Sequence, residues 1–165
     1  MERLWTPWRM DYIMDQKETG CPFCRAFVAN DDAGQYIVYR GERTFVILNR
    51  YPYNNGHLMI MPYAHVGDLS DLDETTRNEM MALLDLSVRA LRETSRPQGF
   101  NMGLNLGEAA GAGVTDHLHM HVVPRWGGDT NYMTVLNEVR TIPELLDETY
   151  RRLQPVMARL AKASR

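Results

Sequence analysis

The chain has 165 residues, of which 44% are hydrophobic and 24% are charged, and its formal net charge is −3. This length suits one domain with a substantial core, and the composition is typical of a globular protein and not of a disordered one. The acidic balance argues against binding to nucleic-acid polymers, and no apolar run is long enough for a signal peptide or a membrane span. We therefore expect a cytoplasmic protein whose partners include neither a nucleic-acid polymer nor a membrane.

The first motif along the chain is Cys21-Pro22-Phe23-Cys24, which holds the only two cysteines. A structural disulfide is disfavoured, because the enclosed loop is very short and the expected compartment is reducing. A redox pair of the thioredoxin kind remains open, although no clear strand precedes the motif and no long helical pattern follows it. We favour half of a zinc site, which needs two more nitrogen or sulfur ligands.

A series of short apolar runs separated by turn residues follows, and it predicts an antiparallel meander. The predicted strands span residues 36–39, 44–49 and 57–61, with a hairpin loop at 40–43 and a turn at 50–56. His65 comes just after the third strand. A single histidine after a strand is a functional candidate only if a metal site elsewhere in the chain lacks a ligand.

Two amphipathic patterns predict helices. Acidic residues crowd the start of 71–95, where Met80, Leu84, Val88 and Leu91 recur at helical spacing. This helix should cross one face of the sheet.

The second pattern is a capping box, Thr141 to Glu144, which predicts a C-terminal helix that Pro155 should kink or end. Its apolar stripe consists of Leu146, Tyr150, Leu153 and Met157.

The segment 100–105 reads as a strand, and a glycine-rich loop at 106–114 joins it to the next element. Glycines let successive backbone N–H groups converge on an anion. An ordinary flexible hairpin loop is the alternative. We favour a phosphate-binding loop, because it leads directly into a cluster of histidines.

That cluster is His117-Leu118-His119-Met120-His121, which contains three of the five histidines of the chain. In a β-strand the three imidazoles share one face and the intervening apolar residues face the core, with neighbouring imidazoles roughly 7 Å apart. A merely solvated face is improbable for so rare a residue type. Two hypotheses for the three histidines remain: a row of imidazoles that binds a chain of phosphates, and a metal site.

The triad with the following Pro124-Arg125 resembles the signature of the histidine triad (HIT) superfamily of nucleotide hydrolases and transferases. Asn49, Gly56-His57 and Asn105-Leu106-Gly107 resemble its ribose-contacting and phosphate-binding segments. The stretches 4–10, with Trp5 and Trp8, and 124–133, with Trp126, are similar to the zinc-containing bacterial branch of diadenosine tetraphosphate phosphorylases.

The resemblance implies an α+β fold: one HIT-like domain with a five-stranded antiparallel sheet, a long helix packed on it and a C-terminal helix. The domain would comprise residues 1–165, with a core at 21–126, an N-terminal extension at 1–20 and a C-terminal extension at 127–165. It also implies a homodimer whose two sheets lie side by side.

For the metal, the resemblance implies one structural Zn²⁺ per chain. Its ligands would be Cys21, Cys24, His65 and His117, a closed tetrahedral set.

For the chemistry, it implies that His119 is the nucleophile, forming a covalent nucleotidyl-histidine, and that His121 binds the α-phosphate. The implied nucleotide contacts are Asn49, His57, Asn105, Gly107, Gly113, Val114, Thr115, His119 and His121. The chain departs from the family at Gly113, where many members have Gln or Ser that contacts the leaving-group oxygen; Thr115 is a nearby substitute.

The expected activity is nucleotidyl transfer that cleaves diadenosine tetraphosphate or a related adenine nucleotide, with phosphate or water as acceptor. A nucleotide-binding regulatory module with little turnover is one alternative. The other is a hydrolase in which all three triad histidines hold a catalytic metal.

Overall fold

The computed structural model describes residues 20–129 and 143–163. Some of the predictions concern residues outside these ranges: the segment 1–19 with Trp5 and Trp8, the stretch 130–133, and Thr141 of the capping box. The helices are α1 (Pro22–Val28), α2 (Asp32–Gln35), α3 (Glu74–Ser95) and α4 (Leu146–Ala163), and the strands are β1 (Ile37–Arg40), β2 (Thr44–Leu48), β3 (Leu58–Pro62), β4 (Gly99–Leu104) and β5 (Met120–Arg125).

All five strands form one sheet in the order β1-β2-β3-β5-β4, and every neighbouring pair is antiparallel. The first three strands form the predicted meander. Helix α3 then carries the chain across the sheet to β4 at its edge, and β5 returns between β4 and β3. The predicted α+β fold with a five-stranded antiparallel sheet is confirmed.

Both faces of the central strands are covered, since every residue of β2 and β3 is buried. On one face Leu58, Ile60 and Val122 pack with α3 and α4 in the larger apolar cluster. On the other face Met59 and Met61 pack with Phe23 of α1 in a smaller cluster. The short helices α1 and α2 were not predicted, because seven and four residues are too few to show a helical period.

Helix α3 begins at Glu74, three residues after the predicted start, because the Asp73 carboxylate accepts the Thr76 backbone N–H at 2.8 Å and caps the helix there. Its most buried side lies slightly off the predicted stripe: Met80 and Leu91 are buried, whereas Leu84 and Val88 are only partly buried and flank the core.

Helix α4 continues through Pro155 to Ala163, so of the two predicted effects of this proline the end of the helix is wrong, and the kink stays a prediction. Leu153 and Met157, on either side of it, are buried in the larger cluster. Their burial on the core outweighs the backbone hydrogen bond that a proline removes. The helix begins at Leu146, after Glu144, whose carboxylate accepts the Thr149 hydroxyl at 2.7 Å. In the described residues, no helix is long and apolar enough to cross a membrane.

Candidate active site and metal centre

The histidine triad lies where the chain enters β5. The strand begins at Met120, so only His121 belongs to it, and His117 and His119 precede it; the predicted strand starts too early. The alternation is nevertheless confirmed, because Leu118, Met120 and Val122 are all buried in the larger cluster. The rings of His119 and His121 are 4.9 Å apart, closer than the predicted 7 Å, because side chains before the strand need not stand parallel.

The ring of His119 is fixed by its own segment. Its Nδ1 lies 2.8 Å from the backbone carbonyl of His117, which only a protonated nitrogen can approach as a donor. In the neutral ring Nε2 then carries the lone pair. His119 is therefore set in the tautomer that a nucleophile requires.

His121 is oriented by His57, which follows the turn before β3. The Tyr53 backbone N–H donates to His57 Nδ1 at 3.0 Å, so the proton of the neutral His57 ring lies on Nε2. That Nε2–H donates to His121 Nδ1 at 2.9 Å. The His121 proton is consequently on Nε2, which is buried and has no hydrogen-bond partner within the described residues.

The surroundings keep this pair neutral. Burial lowers the pKa of His57 to about 3, with smaller contributions from His121 and His119. Burial, followed by the proximity of His119, lowers the pKa of His121 to about 4. A neutral His121 with its proton on Nε2 can donate one hydrogen bond to an anion beside His119.

Asn49 supports the same arrangement. Its side-chain oxygen accepts the Tyr51 backbone N–H at 2.9 Å, which leaves its amide nitrogen to approach His57 Nδ1 at 3.3 Å. His57 is completely buried behind His121. The expected contacts of these two residues with a nucleotide stay predictions, and the structure shows them bound to each other.

Tyr53 was not singled out from the sequence. Its ring stacks on His121, with centroids 5.6 Å apart, and on His57 at 4.7 Å. A cavity of about 380 Å³ opens beside it, lined by Tyr53, Asn101, Val123 and Arg125. Gly103, the β4 partner of His121, leaves further open space next to the imidazole.

The predicted metal ligands converge. The ligand atoms of Cys21, Cys24, His65 and His117 all lie within 4.8 Å of one another. His117 Nδ1 is 3.3 Å from Cys21 Sγ, 3.5 Å from Cys24 Sγ and 3.3 Å from His65 Nδ1. Around a tetrahedral Zn²⁺ with bonds of about 2.0 Å to nitrogen and 2.3 Å to sulfur, such atoms are about 3.3–3.6 Å apart. The residues therefore fit a metal site.

The outer partners of this cluster agree with that role. His117 Nε2 lies 2.9 Å from the Pro62 carbonyl, which holds the proton on Nε2 and leaves Nδ1 for a metal. His65 Nε2 lies 3.5 Å from the Asp116 carboxylate. Of the triad, only His117 lies with Cys21, Cys24 and His65, and the Nδ1 atoms of His119 and His121 are bound elsewhere. This grouping favours the four-residue metal site over the alternative in which all three triad histidines hold one metal.

The segment 105–115 borders the site. Within the described residues, no protein acceptor is found for the backbone N–H groups of Gly113, Val114 and Thr115. Val114 packs on the smaller apolar cluster, and Gly113 is exposed with open space where a side chain would stand. Asn105 is half-buried and Gly107 exposed, with φ +80° at the glycine. This segment offers free donors to an anion.

One close approach fixes the segment relative to the metal cluster. The Leu118 N–H donates to the Val66 carbonyl at 2.7 Å, and a Cβ on Gly67 would lie 2.6 Å from the Thr115 carbonyl oxygen. Only glycine therefore allows the 64–67 segment, with His65, to lie against the start of the triad.

Residues 30–128 match the HIT domain family. The chain belongs to this family. It is 42% identical to AP-4-A phosphorylase of Mycobacterium tuberculosis H37Rv, over 96% of this chain and 86% of that protein. The comparisons confirm the expected resemblance and an enzyme of the HIT type.

Solved HIT structures are similar as well. A Zn-bound histidine triad family protein from Mycobacterium smegmatis superposes with a TM-score of 0.68 at 32% identity, covering 87% of this chain and 97% of that one. A hypothetical histidine triad nucleotide-binding protein from Sulfolobus tokodaii gives 0.66 at 28% identity, covering 87% and 93%.

Proposed function

We propose that this HIT enzyme transfers a nucleotidyl group through a covalent intermediate on His119. The observation that carries the proposal is the hydrogen bond from His119 Nδ1 to the His117 carbonyl, which leaves the Nε2 lone pair beside the donor Nε2–H of His121. A nucleophile and a donor for the attacked phosphate are thus adjacent.

In the first step His119 Nε2 attacks the α-phosphorus and the bond to the bridging oxygen breaks, with its electron pair leaving on that oxygen. His121 donates to a non-bridging oxygen, and the N–H groups of 113–115 add further donors. In the second step the acceptor oxygen attacks phosphorus and the P–N bond returns its electron pair to His119; when the acceptor is water, its proton is released to solvent.

The substrate we propose is diadenosine tetraphosphate or a related dinucleoside polyphosphate, supported by the similarity to AP-4-A phosphorylase. Cleavage then releases ATP in the first step. With phosphate as acceptor the second product is ADP, and with water it is AMP. We propose phosphate as the preferred acceptor.

The metal we propose is one structural Zn²⁺ held by Cys21, Cys24, His65 and His117, supported by the fit of the ligand atoms. We also propose that the protein is cytoplasmic.

We propose a homodimer formed through β4. This strand lies at an edge of the sheet, and its residues Asn101, Met102 and Gly103 are exposed.

The test is acid-free trapping of the intermediate. Protein quenched during turnover of diadenosine tetraphosphate should carry an added AMP mass on the peptide that contains His119. A His119→Ala variant should lack it and lose nearly all turnover, while nucleotide binding changes little. Near-normal turnover in that variant would overturn the proposal.

The regulatory-module alternative keeps one supporting observation, the open space at Gly113 where other members place a side chain against the leaving group. A burst of one nucleotide per protein chain without sustained turnover would favour it.

A further inference from the structure

Besides the edge-on ring of His121, two contacts hold the ring of His119, and both come from segments that carry candidate metal ligands. One is the hydrogen bond to the backbone carbonyl of His117. The other is Phe23, whose ring centroid lies 5.1 Å from that of His119 at an interplanar angle of 54°. Phe23 also meets the ring of His117 edge-on at 5.5 Å.

In the sequence, Phe23 lies between Cys21 and Cys24. Cys21 is the N-cap of α1, and Phe23 and Cys24 are in its first turn. The Phe23 side chain is 9% exposed and packs in the smaller apolar cluster beside Met59. Its ring therefore contacts both His117 of the metal cluster and the candidate nucleophile His119.

Helix α1 has seven residues, which is too short to be stable without tertiary contacts. Its first turn is tied to the rest of the chain through Cys21 and Cys24, whose partners are His117 and His65. Ligation of both thiols and His117 by one ion would fix Phe23 relative to His117, and hence fix the wall against which the His119 ring rests.

We propose that Phe23 is a positioning residue that couples occupancy of the Cys21–Cys24–His65–His117 centre to the orientation of the His119 ring. The inference rests on the proposed role of His119. The metal centre would then affect catalysis as well as stability. An ordered centre keeps the His119 lone pair directed at the phosphorus, and a disordered centre lets the His119 ring rotate.

The test compares Phe23→Leu with Phe27→Leu in the metal-loaded protein. Phe27 lies on the same helix but packs on Phe45 and Tyr63, so its truncation loosens α1 without touching a triad histidine. Three quantities are measured in each: zinc per chain, the rate of nucleotidyl-histidine formation in a single turnover, and the ring-nitrogen NMR signals of His119 in ¹⁵N-histidine protein. A His119→Gln variant assigns those signals.

With zinc content unchanged, Phe23→Leu should slow formation of the intermediate by about tenfold at saturating substrate, equivalent to ~1.4 kcal/mol in the barrier. Its His119 signals should shift from one Nδ1–H tautomer toward a mixture of both tautomers. Phe27→Leu should leave both readouts at the wild-type values. Wild-type protein stripped by chelator should show the same tautomer mixing.

Equal rates and equal tautomer signals in the two variants would overturn the proposal. Phe23→Met, which refills the space with a flexible side chain, replaces Phe23→Leu if the latter does not fold. The Phe23 comparison is decisive even if the stripped protein unfolds, because it is made at constant zinc content. A nucleotidylated His119→Gln protein would instead refute the proposed nucleophile, so the two failures are distinguishable.

Discussion

His57 Nε2 lies 2.9 Å from His121 Nδ1, and this bond determines which nitrogen of His121 faces the site with a proton. The direction of donation follows from the other side of His57, where the Tyr53 N–H occupies Nδ1. A backbone turn thus sets the tautomer of a candidate phosphate ligand two rings away.

Replacing His57 by Gln should therefore impair catalysis without removing any group that touches the phosphate. An amide can present either oxygen or nitrogen to His121 Nδ1, so the fixed tautomer is lost. We expect turnover to fall by about tenfold or more, with a smaller change in nucleotide affinity. Steady-state kinetics together with calorimetric binding of AMP separate the two effects.

The control for His57→Gln is Tyr53→Phe, which keeps the backbone donor and the stacked ring and should retain the wild-type rate. If both variants keep the wild-type rate, the His57–His121 bond has no role in turnover.

The low pKa of His57, beside His121, predicts that the stability of the fold depends on pH. A histidine with a pKa near 6.5 when unfolded and about 3 when folded binds more protons in the unfolded state between these values. The free energy of unfolding must then decrease as pH falls from 6.5 toward 3, by at most about 1.4 kcal/mol per pH unit for one group.

Metal release also weakens the protein in acid, so the measurement is a difference. Urea unfolding of wild type and His57→Gln should give a stability gap that narrows between pH 7 and pH 4. A gap that stays constant over this range would contradict the low pKa of His57.

The candidate metal cluster and the triad could be predicted from the sequence because each carries a local pattern. The CxxC motif and the alternating histidines are visible within a few residues, and the resemblance supplied His65 and joined the two motifs. The alternation also predicted that Leu118, Met120 and Val122 face the core.

The contacts that His57, Tyr53 and Phe23 make with the triad could not be found in this way. They depend on the pairing of β3 with β5, which sets Met59 opposite His121 and so brings His57 beside it. A ring contact between residues 23 and 119 likewise exists only after the sheet has formed. The helix also continues past Pro155 for a reason outside the local sequence pattern, because Leu153 and Met157 on either side of the proline are buried in the core.

Loss of one metal ligand should lower stability and metal content together. Cys24→Ala should bind less than one zinc per chain and melt well below the wild type, because structural zinc contributes directly to folding. Elemental analysis and thermal unfolding are the measurements. Protein purified without chelator that contains no zinc would refute the assignment.

The proposed dimer can be tested on its edge strand. Met102 of β4 is 51% exposed, and Met102→Glu would place two like charges near each other across paired β4 strands. We expect this variant to shift toward monomer in light scattering at micromolar concentration. Met81→Glu is the matched control, because Met81 is 56% exposed on α3 and should leave the oligomeric state unchanged. A wild-type protein that is monomeric at this concentration would refute the dimer.

Gly113 gives the final prediction, because its replacement is nearly free of structural cost. A Cβ there meets no atom within 4 Å, and its φ is not among the positive ones. Gly113→Gln supplies the side chain that the resemblance to the HIT family implies at this position, against the leaving-group oxygen. If a donor at this point stabilises the departing oxygen, turnover of diadenosine tetraphosphate should rise by about tenfold while the melting temperature stays within a degree or two.

Thr115→Ala should lower turnover in the wild type and have less effect in the Gly113→Gln protein, because the two side chains would donate to the same oxygen and their effects would not add. Additive effects in this double-mutant cycle would show that Thr115 does not take the place of the missing side chain.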